Sequence, residues 1–197
     1  MREYTIRRFN GWDGVEALSI DTRLWCPEVD IEPRAQIAWD DEGLYVRLTA
    51  REAHIRAEHT APDGMPCEDS CLEFFFKPFE DDLRYINIEF NPNGVCWLGV
   101  GAGDGSRDLI RMFPERDWLT PRTFRTDDGW GVEYRVPFRF VRMLFPGFQP
   151  KAGYAMRANC FKCGDLTEVE HYFSWNPVTC EKPDFHRPQD FGRMVFA

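Results

Sequence analysis

From about residue 72 onward the chain repeatedly sets an apolar side chain beside a polar one. In Leu72-Glu73-Phe74-Phe75-Phe76-Lys77, the residues Leu72, Phe74 and Phe76 share one face, and Glu73, Phe75 and Lys77 share the other. In the next run Ile86, Ile88 and Phe90 alternate with Asn87, Glu89 and Asn91. Val132, Tyr134 and Val136 alternate with Glu133 and Arg135, and Tyr154, Met156 and Ala158 with Arg157 and Asn159. A period of two marks a strand buried on one face, the habit of antiparallel sheets. Turn signals separate the runs: Asp40-Asp41-Glu42-Gly43, Pro62-Asp63-Gly64, Asn91-Pro92-Asn93-Gly94, Asp127-Asp128-Gly129 and Cys163-Gly164-Asp165. The pattern predicts an all-β protein, an antiparallel β-sandwich, with one short helical turn at Phe138–Leu144.

No segment repeats and no linker interrupts the pattern, so residues 1–197 read as a single domain. Residues 99–106, Gly-Val-Gly-Ala-Gly-Asp-Gly-Ser, lack the strand–turn–helix setting of a dinucleotide fingerprint and read as a mobile loop. The second faces of the strands carry carboxylate, amide and guanidinium groups that suit a polyhydroxylated ligand.

Composition narrows the classes. At 197 residues the chain can bury a core without disulfide or metal staples. Aromatics make up 15% of it, with 17 Phe and 7 Trp, which suits both sheet cores and surfaces that stack flat ligands. A formal charge of −9 with scattered Lys and Arg argues against nucleic acid as a partner. No apolar stretch is long enough to span a bilayer, and the first residues, Met-Arg-Glu-Tyr-Thr-Ile-Arg-Arg, lack the apolar core of a signal peptide. The expectation is a soluble, unsecreted, cytoplasmic chain with no membrane partner. The seven cysteines, an odd number without framework spacing, read as free thiols.

Three constellations carry candidate chemistry. Cys160 and Cys163 with His171 hold part of a zinc-ligand or redox pattern, but a second close pair is missing, Cys67 and Cys71 lying far away in sequence. Glu73, Glu89 and Glu133 are carboxylates from which a glycoside hydrolase draws two, Glu73 and one other. Pro183-Asp184-Phe185-His186-Arg187-Pro188 is a loop stiffened at both ends by proline, bearing an aromatic, an imidazole and a guanidinium. Such a loop suits a preorganised binding surface as well as a plug closing one end of the sandwich.

One ordered set of segments runs through the chain: Asp40-Asp41-Glu42-Gly43-Leu44-Tyr45-Val46, Glu68-Asp69-Ser70-Cys71-Leu72-Glu73-Phe74-Phe75, Tyr85-Ile86-Asn87-Ile88-Glu89-Phe90-Asn91, Gly129-Trp130-Gly131-Val132-Glu133-Tyr134, Arg157-Ala158-Asn159, Ser174-Trp175, and Phe185-His186-Arg187-Pro188 followed by Phe191-Gly192. In this order, over residues 33–196, it resembles the family 9 carbohydrate-binding modules and their family 9-like bacterial relatives. The resemblance implies a β-sandwich of the DOMON type that holds a sugar end between two Trp rings, flanked by hydrogen-bonding Glu, Arg, Gln and Asn, and that does not hydrolyse. It also implies a part in carbohydrate metabolism.

Carried onto this chain, the family's binding Glu falls at Glu73, its Gln and Asn at Arg157 and Asn159, and its arginine near Asn87. One sandwich Trp falls at Cys67 and the other at Phe185 or His186, so both rings are missing here. Structural calcium is common in the family. Here Glu52-Ala53 stands where a pair of acids is expected, and no cofactor is expected, with structural calcium left open. The resulting expectation is a non-catalytic domain that binds a carbohydrate through Glu73, Asn87, Arg157, Asn159, Phe185, His186 and Arg187. Glu73 accepts, Arg157 and Arg187 donate, and Phe185 and His186 stack. The alternatives are a hydrolase built on Glu73, and a metal or redox domain built on Cys160, Cys163 and His171.

Overall fold

A computed structural model of the chain describes residues 1–102, 105–110 and 118–197. Among these, fourteen strands run in chain order: β1 Glu3–Arg8, β2 Leu18–Ser19, β3 Thr22–Leu24, β4 Ile31–Trp39, β5 Gly43–Glu52, β6 Cys71–Lys77, β7 Arg84–Phe90, β8 Cys96–Ala102, β9 Arg107–Leu109, β10 Arg122–Thr126, β11 Gly129–Pro137, β12 Ala155–Gly164, β13 His171–Ser174 and β14 Gly192–Phe196. The expected helical turn is present as α1, Phe138–Leu144, and buries Phe138, Phe140 and Val141. Pro137 starts it with its fixed φ.

The strands form two faces of a β-sandwich. The first sheet runs β14-β12-β6-β7-β8-β9, with β13 and then β3 flanking the other half of β12. The second runs β10-β11-β5-β4. Every pairing is antiparallel except those of β1, which lies parallel to β14 through Glu3–Ile6 and parallel to β4 at Arg7 and Arg8. One terminal strand thereby joins both sheets along one side. Alternation along a strand reports which face is buried but not the direction of its neighbour, so these two parallel pairings are the part of the sheet order the pattern could not give.

The inter-sheet core follows the predicted parity. Leu72, Phe74, Phe76, Ile86, Ile88 and Phe90 of the first sheet meet Leu44, Val46, Leu48, Val132, Tyr134 and Val136 of the second. Each fully buried side chain of this size contributes about 1.5–3 kcal/mol. The same parity carries two charged residues inward. Glu52 continues the Leu44–Ala50 face, and Lys162 continues the Met156–Cys160 face; both are buried.

Residues 99–102 are not a loop but the end of β8. Gly99 lies opposite Asn87 and Gly101 opposite Tyr85. A Cβ on either glycine would come within 2.5 Å of Asn87 Oδ1 or the Tyr85 hydroxyl. The glycines are therefore the space those two side chains occupy. Gly103 and Asp104 of the expected loop lie outside the described residues.

Candidate functional site

The outer face of the first sheet is not a plain solvated surface. One cross-strand row reads Phe161 on β12, Glu73 on β6, Glu89 on β7 and Trp97 on β8. The adjacent row sets Tyr172, Cys163 and Cys71 side by side. The segment after β13 folds back over this face. Phe185 stacks on Phe161 at 4.2 Å between ring centres, and Phe191 stands edge-on to Tyr85. Asp190 ties the segment to itself by accepting from Thr179 N, Thr179 Oγ1 and Arg187 Nε.

Between segment and sheet lies a cleft of about 650 Å³, within the usual range for small-molecule sites. Its acids are Glu73, Glu89, Asp165 and Asp184, and among the described residues its one basic lining residue is Arg107. Trp97, Tyr172, Phe185 and His186 supply rings, and Cys67 and Cys163 supply thiols.

Glu73 and Glu89 are both buried. Desolvation raises both carboxyls above their ordinary range, and for Glu89 the neighbouring Glu73 adds to it. Glu73 Oε1 accepts from Cys163 Sγ at 3.0 Å and lies 3.7 Å from Cys71 Sγ. Asn87 Nδ2 donates to Glu89 Oε1 at 2.8 Å. His186 Nδ1 lies 2.8 Å from the Tyr85 hydroxyl. Burial, and then the charge of Arg107, lower the His186 imidazole to about 4, so it is neutral at pH 7. Burial raises the Tyr85 phenol, which keeps its proton and donates it to Nδ1.

Of the seven expected site residues, Glu73, Phe185 and His186 line the cleft. The other four do not. Arg157 donates through Nε to Phe191 O at 2.9 Å, and its Nη2 bonds the same carbonyl, so its guanidinium anchors the returning segment. Asn159 is buried, donating to Asn176 O at 2.9 Å and accepting from Asn176 N at 2.8 Å. Arg187 pairs with Asp190 at 3.0 Å. Asn87 sits beside Glu89 and orients it rather than facing a ligand. Parity put Asn87, Arg157 and Asn159 on the correct face, and Arg187 was expected from the proline-stiffened loop; neither signal could show that backbone groups of the returning segment, or a neighbouring side chain, already use them. Phe185, expected to stack on a ligand, already has one ring face against Phe161.

Among the cleft residues that sequence reasoning missed are Trp97, Arg107, Asp165 and Tyr172. Trp97 was within reach, because the Asn91–Gly94 turn pairs Phe90 with Cys96 and so sets Trp97 opposite Glu89. Nothing local marks Arg107.

The metal or redox constellation does not assemble as expected. Cys160 packs in the inter-sheet core, whereas Cys163 faces the cleft side, since three steps along a strand reverse the face. His171 bonds elsewhere: its Nδ1 donates to Val169 O at 2.8 Å, which leaves Nε2 to accept from Lys162 Nζ at 2.7 Å. Glu133 likewise leaves the carboxylate group. It lies on the second sheet, bound by Arg47 Nε and Arg122 Nη2, each at 2.7 Å. Glu89 is thus the one carboxylate of the three that neighbours Glu73.

Calcium does not fit the position of Glu52. That ion takes six to eight oxygen ligands. The Glu52 carboxylate instead lies 3.0 Å from Lys162 Nζ and accepts from Trp130 Nε1 at 2.6 Å.

The fold and cleft define a β-sandwich ligand-binding module. The sequence matches the model of carbohydrate-binding family 9 over residues 8–196, and the chain belongs to that family. Among curated proteins none matches. Solved structures do. A protein from Bacteroides uniformis assigned as carbohydrate-binding superposes with a TM-score of 0.84 at 25% identity, covering 100% of this chain and 99% of that one. A family 9 module from Caldicellulosiruptor kristjanssonii in complex with cellotriose superposes at 0.71 and 13% identity, covering 99% of this chain and 93% of that one. The structure of such a module from the same organism with glucose gives 0.70 and 14%, with 100% and 96% covered.

Proposed function

We propose that this chain is a non-catalytic module whose cleft binds a neutral saccharide or the end of a saccharide chain. The observation that carries this reading is the row Glu73–Glu89–Trp97. It sets two hydrogen-bonding carboxyls beside a half-exposed aromatic ring within one concave site. A sugar offers hydroxyls to the first and C–H faces to the second. Trp97 and Tyr172 take over the aromatic role left vacant at Cys67. The charge balance favours a neutral sugar. Among the described residues four carboxyls face one arginine in the lining, and Arg157 and Arg187, which could have met an acidic sugar, are turned to other partners. The neighbouring family 9 module that holds cellotriose or glucose supports the same class of ligand.

Isothermal titration against glucose, cellotriose and uronic-acid oligosaccharides tests this. A neutral sugar should give saturable heat. Trp97→Ala should weaken it by roughly tenfold, equivalent to about 1.4 kcal/mol, while Arg122→Ala, on the second sheet away from the cleft, should leave it within twofold. Binding of acidic sugars alone, or of none, would overturn the reading.

The Glu73–Glu89 pair also invites a hydrolase reading, but Glu73 is engaged by Cys163 Sγ and Glu89 by Asn87 Nδ2. Glycoside cleavage needs two carboxyls free to meet the scissile bond, one as acid and one ionised. Chromogenic glycosides should therefore show no turnover that is lost in Glu73→Gln.

A further inference from the structure

Cys71, Glu73 and Cys163 come together on the outer face of the first sheet, at the inner wall of the cleft. All three are buried, and one ligand atom from each lies within 4.8 Å of the others. Their arrangement follows from register. Cys71 and Cys163 are cross-strand partners, and Glu73 is two residues along β6 on the same face. The two sulfurs lie 3.7 and 3.0 Å from a single oxygen, Glu73 Oε1. In tetrahedral zinc, with Zn–S near 2.3 Å and Zn–O near 2.0 Å, a sulfur and an oxygen ligand stand about 3.5 Å apart. Both sulfur–oxygen separations therefore already lie within about half an ångström of the tetrahedral value.

We propose that Cys71, Glu73 and Cys163 form a three-ligand site for a borderline-soft divalent cation, zinc by its donor set, whose fourth position opens on the cleft. Two thiolates and a carboxylate select zinc over the hard cations, which take oxygen. On binding, both thiol protons leave to solvent and the two S–H bonds are replaced by Zn–S bonds. With the Glu73 carboxylate the occupied site carries a net charge of −1. The surroundings suit a cation, since Glu89 and Asp165 also face this wall while its one lining cation among the described residues is Arg107. Because Glu73 and Cys163 line the cleft, the open position takes water or a hydroxyl of a bound molecule.

The site does not rest on the saccharide reading, and the test contains no sugar. Cobalt(II) chloride is titrated into the reduced, metal-free full chain, followed by zinc chloride. One equivalent should give the sulfur-to-cobalt charge-transfer band and the intense visible bands of a tetrahedral thiolate site, and one equivalent of zinc should erase them. Cys71→Ser and Cys163→Ser should each weaken zinc by more than the roughly 10–100-fold that loss of an outer partner costs. Cys96→Ser, on the core side of the same sheet, should change it less than threefold. The cobalt spectrum of the unmutated chain decides the matter even where a serine variant fails to fold. A weak octahedral spectrum without a thiolate band would overturn the proposal. So would a Cys71–Cys163 disulfide that resists reduction, or unchanged zinc affinity in both serine variants. A chain that takes zinc and ignores every sugar would overturn only the saccharide reading, and the converse result only this one.

Discussion

Two clusters of buried polar groups lie back to back on the first sheet, and neighbouring residues of β12 feed both. Lys162 points into the sandwich, where its ammonium meets Glu52 Oε2 at 3.0 Å, Cys163 O at 3.0 Å and His171 Nε2 at 2.7 Å. The ammonium donates hydrogen bonds to Cys163 O and His171 Nε2, and its ion pair with Glu52 sets one carboxylate against one ammonium. Cys163 points outward to the opposite situation. There Glu73 and Glu89 sit side by side, their hydrogen-bond partners are thiols and an amide, and no cation makes an ion pair with either among the described residues. The inner cluster is closed and balanced, the condition under which buried charge is tolerated. The outer one is unbalanced and opens on a cleft. That difference marks the inner cluster as structural and the outer one as the place where a ligand completes the chemistry.

The comparison breaks first at Glu52. Glu52→Gln keeps the shape and an oxygen for Trp130 Nε1, but it leaves the Lys162 ammonium buried without its counter-charge. Losing one partner of a buried pair costs about 3–5 kcal/mol, and urea unfolding at pH 7 should show a loss of that size. A loss under about 1 kcal/mol would mean that Lys162 has found another counter-charge and that the inner cluster is not held by this pair.

Parity made both clusters partly legible in the sequence. It placed Glu73, Asn87, Glu89, Arg157 and Asn159 on the outer face, and it placed the core of Leu72, Phe74 and Phe76 correctly. Continued beyond Ala158, the same alternation carries Lys162 inward, although nothing within β12 announces that Glu52, more than a hundred residues earlier, waits opposite. Which outer-face groups remain available to a ligand depends on the return of the segment through Phe185 and Phe191, whose carbonyl takes Arg157. A contact of that sequence separation leaves no local trace. The same holds for β1, whose parallel partners are at the far end of the chain and in β4.

A smaller effect separates two histidines, one in each cluster. Burial lowers both His171 and His186 to about 4. The unfolded chain takes up a proton at each near pH 6.5, whereas the folded chain takes it up only near 4. Each histidine therefore costs stability as pH falls from about 6.5 to 4, and none above that window. Around His186 stand Tyr85, Arg107 and Asp184. The raised carboxyls of Glu73 and Glu89 act in the opposite sense, gaining stability as pH falls, so the total slope is mixed. His186→Phe isolates one contribution. Relative to its own stability at pH 7.5, the variant should lose about 1 kcal/mol less than the unmutated chain on going to pH 5.5. Parallel curves from the two proteins would show that His186 is already free to take a proton in the folded state.

The smallest expected change is the sharpest test of the contrast. Glu89→Gln makes in the outer cluster the same chemical substitution as Glu52→Gln in the inner one. Asn87 Nδ2 keeps an oxygen to bond, and removing one of two facing acids relieves like charge instead of stranding a cation. In the metal-free chain at pH 7.5 the change in unfolding free energy should stay within about 1 kcal/mol, with the sign toward stabilisation. Set against a loss of about 3–5 kcal/mol for Glu52→Gln, two identical substitutions on opposite faces of one sheet would then differ because only the inner carboxylate holds a buried cation. A loss above about 2 kcal/mol in Glu89→Gln would instead show that the outer carboxylate is held by a charge as firmly as the inner one, and the cleft would no longer stand apart as the unbalanced site.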